Sequence, residues 1–223
     1  VHFHTLSPDR TDPFCQHFGE CGGCKWQMLP YSMQLDYKHQ QVVDHLTRIG
    51  KIALPDIMPI LGGQETRYYR NKLEFTFSNK AYLTQKEMDA AGDGEIPRRN
   101  AVGFHIPKLF DKVLDIQECH LMAEPTNLIK NTIRDYAEAN NLEFFDIRQQ
   151  TGWLRNLVLR ICTTGEVMAN LVIHHEDKEA REALLDHILK TVPGITSLLY
   201  TINPKKNDSI FDRSRRYTTA KVM

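Results

Sequence analysis

Tyr69-Arg70-Asn71-Lys72-Leu73-Glu74-Phe75-Thr76-Phe77-Ser78 alternates apolar and polar side chains with a period of two. Tyr69, Leu73, Phe75 and Phe77 fall on one face, and Arg70, Lys72, Glu74, Thr76 and Ser78 on the other, as in a half-buried β-strand. Working outward, Ala101–His105 and Lys112–Ile116 read as short strands. Trp153–Thr163 and Glu166–His174 flank Thr164-Gly165 in a hairpin pattern, and Thr196–Ile202 is a further strand. Pro125 opens a helix with Leu128, Ile129, Ile133, Tyr136 and Ala137 on one face. Asp177 caps another, with Ala180, Leu184, Leu185 and Ile188 inward and Pro193-Gly194 as its stop. Strands joined by hairpins and separated by single helices predict an α+β domain with a mainly antiparallel sheet and flanking helices.

Upstream the pattern changes. Residues 1–13 carry Ser7-Pro8, Asp9-Arg10 and Asp12-Pro13 and read as a linker or the remnant of an upstream domain. A cysteine-rich loop follows. Pro30 and Ser32 then start a helix in which Leu35, Val42, Leu46 and Ile49 recur at helical spacing before Gly50. This helix, residues 31–49, is expected to brace the cysteine loop. Residues 51–66 read as a connection, and the polar residues 79–99, with Gly92-Asp93-Gly94 and Arg98-Arg99, as a long hairpin excursion. The reading therefore divides the chain into 1–13, 14–50, 51–212 and a tail, 213–223.

The 223 residues are 41% hydrophobic, enough to bury a core. No apolar run approaches the ~18 residues of a membrane span. The first residues lack the basic region and apolar stretch of a signal peptide, and a cytoplasmic monomer is expected. The chain does not begin with Met, which fits a processed or cut piece. Net charge is zero, from 28 basic and 28 acidic residues. That argues against a strongly basic nucleic-acid binder and leaves room for a local patch. Basic residues exceed acidic ones nine to six in 67–113 and six to two in 203–223.

Cys15, Cys21 and Cys24 stand within ten positions, and Cys119 stands alone far downstream. Unexported thiols stay reduced, which favours a metal site over disulfides. Gly19, Gly22 and Gly23 would supply the positive-φ turns that point several thiolates at one centre. Four soft thiolates suit zinc or an iron–sulfur cluster. Zinc sites often use two short-spaced pairs, whereas three clustered cysteines plus one remote cysteine lean toward a 4Fe-4S cluster. Zinc, with His17 or His120 in place of a thiol, is the alternative; reduced, unligated thiols are the bland reading, which suits Cys119 taken alone better than the trio. Cys162 reads as a buried residue of an apolar strand.

Candidate phosphate- or base-contacting residues are Arg70 and Lys72 beside Tyr68 and Tyr69, Arg155 beside Trp153 and Arg160, and Lys205 and Lys206 in the loop Asn203–Asp208. Basic side chains neutralise phosphates and aromatic faces stack on unpaired bases. The competing reading makes Tyr69 a core residue and pairs Arg70 and Lys72 with carboxylates. Arg155, on an apolar strand face, needs a carboxylate, a carbonyl or a ligand. His174-His175-Glu176-Asp177 reads as a cap and turn. No glycine-rich dinucleotide loop or P-loop occurs.

Cys15-x5-Cys21-Gly22-Gly23-Cys24-Lys25-Trp26-Gln27, with Tyr31, Gln34-Leu35, Lys38 and Arg48-Ile49-Gly50, resembles the RNA uracil-5-methyltransferases that form 5-methyluridine in 23S ribosomal RNA. Tyr69-Arg70-Asn71-Lys72, Val102-Gly103-Phe104-His105, Cys119 before a helix, Arg155 to Arg160, and Asn203 with Asn207-Asp208-Ser209-Ile210 match in order. The resemblance covers roughly residues 7–212. It implies a 4Fe-4S cluster on Cys15, Cys21, Cys24 and Cys119, a ribosomal RNA partner, and a central α+β domain. It places that domain between an OB-like domain and an S-adenosylmethionine-dependent catalytic domain. In that family a cysteine adds to carbon 6 of the uracil, carbon 5 takes the methyl group, and a carboxylate removes the proton. No cofactor loop or catalytic cysteine motif is found in these 223 residues, and Cys162 stands too early to be the nucleophile. The chain alone is therefore expected to be inactive, with no catalytic or S-adenosylmethionine-binding residues of its own. The alternative is a stand-alone RNA-binding or zinc-stabilised structural module.

Overall fold

The computed structural model describes residues 4–92 and 100–219. It divides into two compact units, Val1–Phe18 with Cys24–Arg67, and Gly19–Gly23 with Tyr68–Met223. The division thus falls at Arg67/Tyr68, where the sequence reading sets a boundary after residue 50.

The larger unit is built on β1 (Lys72–Ser78), β2 (Ala81–Tyr82), α2 (Gln85–Ala91), β3 (Ala101–Ile106) and β4 (Leu109–Asp115). It continues with α3 (Thr126–Ala139), β5 (Leu154–Ile161), β6 (Val167–Ile173), α4 (Lys178–Thr191), β7 (Ser197–Ile202) and β8 (Arg216–Thr219). The strands form one sheet in the order β2-β4-β3-β1-β5-β6-β7-β8. Only β2/β4 and β6/β7 pair in parallel, so the α+β, mainly antiparallel expectation holds. α4 supplies the crossover that the parallel pair β6/β7 requires.

Register sorts the side chains. Phe75, Leu157, Leu171 and Tyr200 are successive cross-strand partners, and each is buried. The same face receives Ile129, Ile133 and Ala137 of α3 and Leu184, Leu185 and Ile188 of α4, all fully buried. Lys130 of α3 lies over the Phe75 ring, and Arg181 of α4 over the Tyr200 ring. Each large apolar side chain buried here is worth roughly 1.5–3 kcal/mol. The other face carries the rows Glu74–Val158–Asn170–Leu199 and Lys72–Arg160–Met168–Ser197. In β3, Gly103 allows close strand approach, since a Cβ there would lie 2.1 Å from the Leu114 carbonyl.

Three local differences from expectation have plain causes. The first strand begins at Lys72. Before it the chain turns at Tyr68 (φ 56°) and pairs with 120–122, Tyr68 N–H donating to His120 O and Arg70 N–H to Leu121 O. Tyr69 is therefore 58% exposed rather than core. Within 79–92 the chain forms β2 and α2. A capping box starts α2, Glu87 N–H donating to Thr84 Oγ1 and Thr84 N–H to the Glu87 carboxylate. Asp93, Gly94, Arg98 and Arg99 lie outside the described residues. Residues 216–219, expected as tail, form β8 on the end of the sheet beside β7.

In the smaller unit α1 (Tyr31–Asp44) runs into a π-helical turn, His45–Ile49, and stops at Gly50. Gln34 Nε2 donates to Trp26 O at 3.1 Å and Leu29 O at 2.9 Å, tying the first turn to the residues before it. Gly63 N–H donates to the Tyr31 hydroxyl at 2.8 Å, and the Arg67 guanidinium lies 4.0 Å over the Phe14 ring. No described residue of this unit is buried. Leu35 and Leu46 are half-buried, whereas Val42 and Ile49 are 52% and 75% exposed, so only part of the apolar stripe faces inward as periodicity predicts. Among the described residues no helix is long and apolar enough to cross a membrane.

Candidate functional site

None of the five cysteines is in a disulfide. Cys15 and Cys24 belong to the smaller unit, Cys21 and Cys119 to the larger. Cys15 N–H donates to Gln27 Oε1 at 3.2 Å, and the Cys21 sulfur accepts from Gly23 N–H at 3.4 Å. Of the three loop glycines, only Gly19 takes a positive φ, at 99°. Gly22 is small for another reason: a Cβ there would stand 3.1 Å from the Pro107 ring. Cys119 is buried, and its backbone N–H donates to Asn127 Oδ1 at 2.8 Å, in the first turn of α3. Beside it the buried Lys130 ammonium donates to Ile116 O and Asn131 Oδ1. Burial pulls the Lys130 pKa down to about 8, with Arg134 acting in the same direction against Asp115, Asp135 and Cys119. His120 Nδ1 lies 3.2 Å from the Tyr68 hydroxyl and 3.4 Å from Glu118 Oε1. Among the described residues no three His, Cys, Asp or Glu side chains are arranged to hold a metal ion. Thiolates are the donor type that zinc and iron–sulfur clusters take, and that chemistry is the one respect in which these residues match such a group. Cys162 is exposed, because β5 ends at Ile161 and Cys162 already belongs to the hairpin turn.

Arg155 is 1% exposed and is not placed to meet RNA. Its Nη1 donates to Asn203 O at 2.7 Å and Lys205 O at 2.6 Å. Its Nη2 donates to Asn207 O at 3.2 Å and Asp208 Oδ1 at 2.8 Å. The guanidinium also stacks 4.2 Å from the Phe145 ring. A buried planar cation thus organises the loop after β7, with Asn203 Nδ2 adding a bond to Asn207 O. Trp153 is likewise buried, its indole N–H donating to His175 O, so it is no stacking platform. Asp177 caps α4 through Ala180 N–H, and Glu176 pairs with Arg181, the expected cap and turn.

The loop held by Arg155 borders a cleft of about 450 Å3 on the sheet face opposite α3 and α4. Lys72, Arg160, Asn170 and Leu199 contribute from the strands, and Phe211 and Arg215 from beyond β7. Lys72 and Arg160 are cross-strand partners, and Lys72 pairs with Glu74 at 3.4 Å. Of the other candidates, Arg70 and Lys206 are exposed, while Lys205 is half-buried and bonded to Asp212. Arg215, Phe211 and Asn170 escape sequence reading because only strand register and the loop's path bring them to Lys72.

No family model matches the chain. It is similar to a Bacteroides thetaiotaomicron protein named as an uncharacterized RNA methyltransferase. The two are 53% identical over 215 residues, 95% of this chain and 47% of that one. A Porphyromonas gingivalis protein of the same name is 50% identical over 96% of this chain and 46% of its own length. The similarity is to part of an RNA methyltransferase. The chain spans less than half the length of either relative. Among solved structures, the tRNA (uracil-54, C5)-methyltransferase of Pyrococcus abyssi, in complex with S-adenosyl-L-homocysteine, shares the fold. The TM-score is 0.58 at 22% identity, over 91% of this chain and 40% of that one.

Proposed function

We propose that this chain is the cysteine-bearing, RNA-contacting portion of an S-adenosylmethionine-dependent RNA uracil-5-methyltransferase, with 23S ribosomal RNA as substrate. The observation that carries the reading is the 53% identity to a named RNA methyltransferase across 95% of the chain. The fold shared with a uracil-5-methyltransferase supports the base specificity, and the S-adenosyl-L-homocysteine in that structure supports the methyl donor. Methyl transfer itself is assigned to residues outside these 223, so the chain alone is proposed to be inactive.

Cys15, Cys21, Cys24 and Cys119 are proposed to hold a 4Fe-4S cluster. When bound, the cluster would act as a structural clip, closing a long stretch of chain and restricting the unfolded state. This chain's own residues set up the ligands: Gln27 holds the Cys15 amide, and Asn127 fixes the backbone at Cys119. Lys72, Arg70 and Lys206 are the exposed cations proposed to meet RNA phosphates.

Anaerobic treatment with ferrous iron and sulfide, followed by filter binding to ribosomal RNA, tests the reading. The expected result is iron and acid-labile sulfide in equal amounts, salt-sensitive RNA binding, and no methyl transfer from labelled S-adenosylmethionine. Bound zinc after metal exchange contradicts the cluster. Absence of RNA binding contradicts the RNA role, and turnover by the chain alone contradicts the assignment of chemistry elsewhere.

A further inference from the structure

The geometry points to the cleft on the sheet face opposite α3 and α4 as a subsite for one unpaired nucleotide of an RNA strand, with Phe211 stacking on the base. Arg160 and Arg215 would hold the adjoining phosphates. The inference rests on the RNA-contacting reading above and adds to it a place and a chemistry.

Four observations carry it. The first is size: about 450 Å3 lies within the ~300–1,000 Å3 of small-ligand sites. The second is charge. The lining holds Lys72, Arg160 and Arg215 against Glu74 and Asp208. Both carboxylates are already engaged, Glu74 by Lys72 and Asp208 by Arg155. Arg160 and Arg215 pair with no carboxylate among the described residues. The cleft therefore offers two uncommitted guanidinium groups, the forked donors suited to phosphate.

The third is the aromatic rim. Phe211 is 94% exposed, a costly position for so large an apolar side chain. It sits in a loop whose preceding residues are pinned by Arg155, Asn203 and the Asn207 side chain. Stacking on any base needs only such a π-face, without hydrogen-bond readout. The fourth is the floor. Asn170 lines the cleft at 1% exposure, its Oδ1 accepting from the Thr201 hydroxyl at 3.0 Å. A side-chain amide carries N–H donors of the kind a base carbonyl accepts.

Fluorescence anisotropy with a fluorescein-labelled uridine octamer tests this on the full 223-residue chain. A second probe of equal length and charge lacks the bases. Phe211→Ala should weaken octamer binding about 5-fold or more, the loss of one base stack, and leave the abasic probe unchanged. Phe211→Trp should restore binding. Arg160→Ala and Arg215→Ala should weaken both probes alike and lower the salt slope by about 0.7 per lost contact. Lys190→Ala, on the exposed side of α4, is the control. Octamer binding that is the same in wild type, Phe211→Ala and Arg160→Ala overturns the subsite and leaves the RNA reading standing. Failure of the wild type to bind either probe overturns both.

Discussion

The two units differ in what can hold them together. The larger one completely buries Phe75, Leu157 and Leu171 of the sheet against Ile129 of α3 and Leu184 of α4. The smaller one buries none of its described residues, and it exposes Val42, Ile49, Met58 and Leu61. Small units below roughly 70–80 residues rarely gain enough from a core and turn to metals, disulfides or partners. The smaller unit has no disulfide, but it carries two of the four clustered or buried thiols, Cys15 and Cys24. The contrast is one of burial: the sheet has a core, and the described residues of the smaller unit have none.

Substitutions can break or sharpen that contrast. Phe75→Ala removes a fully buried ring, and urea unfolding should show about 3–5 kcal/mol lost from the larger unit. Arg155→Met leaves the Asn203 and Lys205 carbonyls and Asp208 without this donor, and Asn207 O with Asn203 Nδ2 alone. Discounted for the partial exposure of Asp208, the cost should be about 2–3 kcal/mol. Proteolysis should then cut first within 203–212. Asp177→Ala removes the cap of α4 and should cost about 1 kcal/mol in the same assay.

A smaller effect follows from His174. Burial holds its imidazole below the usual histidine range, and Arg155 and His175 act in the same direction. The folded chain keeps it neutral while the unfolded chain takes up a proton near pH ~6.5. Its stabilisation is therefore complete above that pH and is lost as pH falls through the lower folded value. His174→Gln should flatten the stability profile below pH ~6.5. Smallest of all, Ile49→Ala, at a side chain 75% exposed, should change stability by no more than about 0.5 kcal/mol. A loss of several kcal/mol there would mean that the smaller unit has a core after all.

Much of the sheet was legible because alternation is local: Leu73, Phe75 and Phe77 state which face is buried without reference to any partner. The cap at Asp177 was legible for the same reason. Thr84 and Glu87 carry an equally local capping signal, set inside a polar stretch that reads as a hairpin excursion. What stayed hidden depends on distant residues. Arg155 looks like an RNA contact until the loop at 203–208 closes over it. A helical stripe such as Leu35, Val42, Leu46 and Ile49 gives a period but not what covers it. The cysteines had the clearest spacing in the chain, yet spacing alone orders no geometry among the described residues.

Hydrogen exchange of residues 24–67, followed by mass spectrometry before and after anaerobic loading with iron and sulfide, tests the central claim most directly. The account predicts that protection across Tyr31–Asp44 rises on loading and fails to rise in Cys15→Ser, while β1 and β5 stay protected throughout. Equal protection of this helix with and without iron, in wild type and Cys15→Ser alike, would contradict it.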